Sequence, residues 1–203
     1  MKSALDVHRT LLAAGVPHEM VRLRTAALGG DDLPHALGVP RESCVVVRCY
    51  RTTRLDASTG LCAVLVRSGD VPDPVSLLDA LDAVAVRPAT AAEVNEATDY
   101  ASALVSPIYL PADVLLLADA VLGSTEVLYP PTGESGVALG ISTRDLLVAS
   151  GALVTNLTAT RLAAEERSGW QGGAGLETAG ATVLALHRSR PHPLTGLPAA
   201  SPA

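Results

Sequence analysis

The sequence predicts an α+β domain built on a mixed or largely antiparallel sheet. Three observations carry that reading. Strand-like and helix-like segments alternate without the regular βαβ rhythm of a doubly wound sheet. Two pairs of apolar runs, residues 44–51 with 61–67 and 126–129 with 137–141, are separated by short polar turns and read as hairpins. The 203 residues, 48% of them hydrophobic, suffice for one sizeable core, so residues 1–157 are expected to form a single domain.

Each element has its own local signal. Residues 3–14 (SALDVHRTLLAA) place Leu5, His8, Leu11 and Leu12 at helical spacing behind Ser3 as N-cap, and Gly15 and Pro17 stop the helix. Residues 18–24 alternate as a strand does. Residues 29–38 (GGDDLPHALG) read as a short helix, capped by Asp31 or Asp32 and ended by Gly38. The continuous β-branched run 44–51 (CVVVRCYR) predicts a central strand, with 61–67 (LCAVLVR) as its hairpin partner. Residues 74–82 begin a helix on Pro74, 84–86 form a short strand, and Thr90 with Glu93 makes a capping box for the next helix. Strands follow at 114–118, 126–129 and 137–141, then a capped helix at 142–150 (STRDLLVAS). Beyond Gly151 the periodicity fades. Residues 158–167 could continue as helix, 181–187 could add an edge strand, and the Pro/Gly-rich remainder of 158–203 is expected to be disordered.

Composition narrows the chemistry. With no Phe and one Trp, the core must be aliphatic. The formal charge of −6 argues against a protein that coats nucleic acid generally, while Arg22, Arg24, Arg41, Arg48, Arg51 and Arg54 leave room for a local basic patch. The N-terminal residues lack a signal-peptide h-region and no apolar run is long enough to span a bilayer, so a cytoplasmic protein without membrane contact is expected. Cys44, Cys49 and Cys62 fit no zinc or redox spacing and read as core thiols. No two of the five histidines stand at metal-ligand spacing, so neither a metal nor a cofactor is expected. P-loop, dinucleotide and nucleophile-elbow motifs are absent. The turn at Gly133–Gly136 could offer backbone N–H groups to an anion.

An ordered series of features carries a resemblance. An acidic helix ends in Thr98, Asp99 and Tyr100, and a loop ends in Ser106 and Pro107. A strand ends in Asp119, a turn holds Gly133 and Gly136, and ISTRDLL (141–147) opens a helix. Upstream, ALGVP (36–40) precedes the Val-rich strand. Over about residues 3–155 the chain resembles the YbaK/prolyl-tRNA-synthetase-associated domain family, which includes aminoacyl-tRNA deacylases. The resemblance implies a barrel-like sheet with surrounding helices and a pocket for the aminoacyl-adenosine end of a mischarged tRNA. It implies hydrolysis of the aminoacyl ester in trans, without a side-chain nucleophile and without a DNA partner. The family's G-x-x-x-P loop falls on residues 103–107, with Ala103 at the glycine position and Pro107 at the proline. Its strand lysine falls near Val47 or Arg48; Lys2 is the only lysine of the chain, so Arg48 becomes the candidate cation. Arg48 and Ala103 are the expected catalytic positions, and Val47, Tyr100, Ser106, Pro107, Thr132 and Gly133 the expected substrate-binding ones. A catalytically degenerate homologue that binds tRNA ends, a nucleotide or a protein partner is the alternative.

Overall fold

The β-branched run after Cys44 forms the longest strand, β2 (Val45–Thr53), which pairs antiparallel along its whole length with β3 (Thr59–Arg67). A computed structural model of the chain describes residues 1–158. The extensions expected at 158–167 and 181–187, and the tail, lie essentially outside the described residues. The hairpin is central because both faces are apolar: Val45, Val47, Leu61, Ala63 and Leu65 point into one cluster, and Val46, Tyr50, Cys62, Val64 and Val66 into another. Strand β4 (Ala85–Pro88) adds to β2 antiparallel, whereas β5 (Leu115–Asp119) adds to β3 in parallel, and β8 (Leu153–Thr155) adds to β5 in parallel. The order is β4-β2-β3-β5-β8, a mixed sheet. A three-stranded antiparallel sheet, β1-β7-β6, is built from β1 (Glu19–Arg22), β6 (Val127–Leu128) and β7 (Val137–Ser142).

The two sheets join where β2 begins. The Tyr129 N–H donates to Ser43 O (2.8 Å) and the Val45 N–H to Tyr129 O (3.3 Å). The sheets thereby curve about one core, into which Leu128, Leu139 and Ile141 point from one side and Val45, Leu65 and Leu116 from the other. Helix α1 (Ala4–Ala13) buries Val7 and Leu11 in this core, and α5 (Thr143–Ser150) buries Leu146. Helix α3 (Pro74–Leu81) covers the opposite face of the large sheet with Leu77 and Leu81. Tyr100 is the one fully buried aromatic among the described residues. Its hydroxyl donates to Ile108 O (2.8 Å), which satisfies the single polar atom that the ring carries inside.

Caps fix the helix ends where the sequence places them. Ser3, Thr90 and Ser142 start α1, α4 (Ala91–Thr98) and α5, while Gly38 and Gly151 end α2 (Leu33–Leu37) and α5 with left-handed φ. Two expectations need correction, and the choice between Asp31 and Asp32 as cap is decided. Residues 29–38 hold a 3-10 turn, Gly30–Asp32, before α2 rather than one helix. Only Asp32 caps it, accepting from the Leu28 and Gly29 N–H groups; Asp31 is drawn away by Gly69 and Arg48. Strand β8 lies where the fading periodicity gives no sign of a strand.

The α4 cap carries a pH signature. The Arg87 guanidinium, and then the Thr90 backbone N–H, hydrogen-bond the Glu93 carboxylate and pull its pKa down to about 2. A carboxyl depressed on folding stabilises the fold above its unfolded value of about 4.3, and that contribution is lost as pH falls from there toward 2. An NMR titration is expected to find Glu93 near 2 in the wild type and markedly higher in Arg87→Ala. An unchanged value in the variant would show that the guanidinium is not the cause.

Candidate functional site

Strand β4 is shorter than its neighbour. It covers β2 only from Tyr50 to Thr53, and the last bond across this seam runs from the Ala89 N–H to Cys49 O (2.9 Å). The edge of β2 before that point is open, and a cleft of about 490 Å³ lies against it. Val46, Val47, Arg48, Cys49 and Tyr50 form one wall, Pro88, Ala89, Ala91 and Val94 a second, and the 3-10 turn with Val71, Ser102 and Ala103 the rest. Its volume lies within the range of small-molecule sites, and its lining is mainly aliphatic with few polar groups, as such sites are.

The turn is seated by a close approach. A Cβ on Gly30 would lie 2.6 Å from Val46 Cγ1, so only glycine lets the turn rest on β2. The Gly30 N–H donates to Ala103 O (2.9 Å), which ties the 103–107 loop to the turn. Arg48 is held on the adjoining wall. Its Nε donates to Asp70 O (2.7 Å), and its Nη2 to both carboxylate oxygens of Asp31 (3.1 and 3.0 Å). Asp31 also accepts from the Gly69 N–H (2.7 Å), so the pair is anchored at both ends. Arg48 is mostly shielded and Asp31 half-exposed, with side-chain exposures of 27% and 49%. The site therefore presents a fixed guanidinium whose charge is partly compensated.

Of the expected site residues, Arg48, Ala103 and Val47 share the cleft. Tyr100, Ser106, Pro107, Thr132 and Gly133 are not on its wall. Tyr100, Ser106, Pro107 and Thr132 are buried; Ser106 Oγ accepts from the Ile108 N–H (3.3 Å) and Thr132 donates to Val137 O (2.8 Å). Gly133 packs against the Tyr100 ring and the Lys2 carbonyl. Lys2 does not line the cleft: its ammonium sits 4.6 Å from the centre of the Tyr109 ring and 5.3 Å from that of Tyr100, and donates to Tyr109 O. The residue that sequence reasoning missed is Asp31, whose role depends on the folded approach of Arg48.

Candidate nucleophiles fare poorly. Cys49 is only half-buried, yet desolvation holds its thiol at about 11, so at neutral pH it is protonated and unreactive. Cys44 and Cys62 are buried as expected, each pushed up to about 12. Among the described residues, no histidine lines the cleft. Among them, too, no group of three or more His, Cys, Asp or Glu side chains could hold a metal ion, and no helix is long and apolar enough to cross a membrane. Beyond the cleft, Arg41 pairs with Asp70, while Arg51 (3.5 Å) and Arg87 (2.6 Å) share Glu93.

The family model described as aminoacyl-tRNA editing domain matches residues 31–148, more than half of the chain. Among solved structures, the hypothetical protein APE2540 is similar at 25% identity and a TM-score of 0.65, over 75% of this chain and 99% of that one. A candidate trans-editing enzyme for prolyl-tRNA synthetase is similar at 20% identity and a TM-score of 0.64, over 77% and 97% of the respective chains; this likeness shows the shared fold. No curated protein matches the chain.

Proposed function

Because the chain belongs to the aminoacyl-tRNA editing domain family, we propose that it is a trans-acting deacylase that hydrolyses the ester of a mischarged tRNA. The observation that carries this reading is the open cleft at the edge of β2, onto which Arg48 and Ala103 converge. A hydrolysis without a protein nucleophile fits a cleft whose described lining has no activated thiol and no histidine. Water attacks the ester carbonyl carbon, the bond to the ribose oxygen breaks, and that oxygen leaves with a proton as the amino acid is released. An activated ester needs orientation and a stabilised oxyanion above all. Arg48 supplies the cation and the Ala103 end of the loop supplies backbone shape. Tyr100 and Ser106 brace the end of that loop through Ile108.

The reading predicts release of amino acid from at least one member of a panel of mischarged tRNAs, measured with the full chain. A folded protein that releases none of them would overturn it. The degenerate-binder alternative, favoured by the absence of lysine from β2, predicts tRNA binding in that same panel without release.

A further inference from the structure

The open edge of β2 exposes main chain as well as side chains. In an antiparallel pair, alternate residues turn their N–H and C=O toward opposite neighbours. Cys44 accepts from the Ser68 N–H and Arg54 donates to Ser58 O, both on the β3 side, so the even-numbered residues of β2 face β3. The odd-numbered ones face the other way, as the bonds from Val45 N–H to Tyr129 and from Ala89 to Cys49 O show. Val47 stands between those two bonds. Its N–H and C=O point past the end of β4 into the cleft, where no strand among the described residues meets them. A main-chain donor and acceptor left together in this way form a template for one further residue.

We infer that the Val47 main chain is the recognition element for the aminoacyl group, which docks on it as a single-residue antiparallel bridge. An α-aminoacyl ester has what a bridge partner has, an N–H donor and a C=O acceptor on either side of one Cα. Its ammonium donates to Val47 O, and its ester carbonyl accepts from the Val47 N–H, a donor that also meets the oxyanion as water adds. The gap is one residue long, because the Gly30 turn rests on Val46 at one end and Ala89 holds Cys49 O at the other. The main chain thus supplies a polar contact at the position where resemblance leads one to look for a lysine. This deepens the deacylase reading and rests on it.

The test uses hydrolysis-resistant amides with the ¹⁵N-labelled full chain: 3′-(L-alanylamino)-3′-deoxyadenosine and its deamino counterpart, 3′-propionylamino-3′-deoxyadenosine. The alanyl compound is expected to shift the Val47 amide resonance more than that of Arg48, whose N–H faces β3. It is also expected to bind about tenfold more tightly than the propionyl one, the worth of one hydrogen bond. In Asp31→Asn that ratio should persist. If the alanyl compound shifts Gly30 and Ala103 but leaves Val47 unmoved, or if the ratio vanishes in Asp31→Asn, the bridge is wrong while the deacylase reading stands. If neither compound binds and no member of the mischarged panel is hydrolysed, the deacylase reading fails and the inference falls with it. A strand-forming peptide that shifts Val47 when neither compound does would reassign the gap to a protein partner.

Discussion

Arg48→Ala is expected to lower kcat/KM for amino-acid release from mischarged tRNA by at least about a hundredfold, the usual cost of removing one preorganised oxyanion donor. The loss has two parts. The guanidinium fixed by Asp70 O and Asp31 disappears, and the Asp31 carboxylate remains in the cleft without its cation. A negative cleft then opposes both the developing oxyanion and the approach of phosphate. Stability should move little, because a pair with a half-exposed partner contributes only about 1 kcal/mol or less, or roughly 2–4 °C in a domain of this size. Arg48→Lys should fall between the two, since a single ammonium cannot reach the Asp70 carbonyl and the Asp31 carboxylate with separate fixed donors. Full activity in a folded Arg48→Ala protein would remove the side chain from the mechanism and leave the main-chain donors of β2 to carry it.

Arg48 also marks the limit of what can be read from the sequence. The local signals are strong where the chain contacts itself nearby. The β2–β3 hairpin comes from two runs joined by a short turn, the caps at Ser3, Thr90 and Ser142 and the stop at Gly38 come from residues within a few positions of one another, and all appear in the structure. What is not legible depends on distant partners. The parallel pairings of β3, β5 and β8 join segments separated by whole helices, and β8 is a three-residue edge strand with Leu153 and Val154 exposed, so it has no periodic pattern to read. The His8 and His18 rings, scattered in sequence, meet at 2.8 Å. Asp31 resembles a cap because it precedes a helix, and only the approach of Arg48 and Gly69 gives it another role. The cleft itself is a mismatch in strand length: β4 stops at Pro88 while β2 runs back to Val45, and no local pattern encodes such an ending.

The same dependence on packing makes Gly133→Ala the substitution with the largest expected effect on stability. Gly133 has φ +93°, a conformation that strains any residue with a Cβ, and that Cβ would lie 2.8 Å from the Lys2 carbonyl oxygen and 2.8 Å from Tyr100 Cδ1. The Lys2 segment could shift outward, but the Tyr100 ring cannot: it is fully buried and its hydroxyl is tethered to Ile108 O. Strain and overpacking together should cost about 3 kcal/mol and lower Tm by roughly 6–12 °C. Gly136, three residues on in the same turn, is the internal control. It has no positive φ, and a Cβ placed there would meet no described atom within 4 Å, so Gly136→Ala should leave Tm nearly unchanged or slightly raised. Equal losses from both substitutions would show that the turn tolerates neither, and would remove the Tyr100 contact as the cause. A Gly133→Ala protein with wild-type Tm but no release of amino acid would move Gly133 from packing against Tyr100 to direct contact with the substrate.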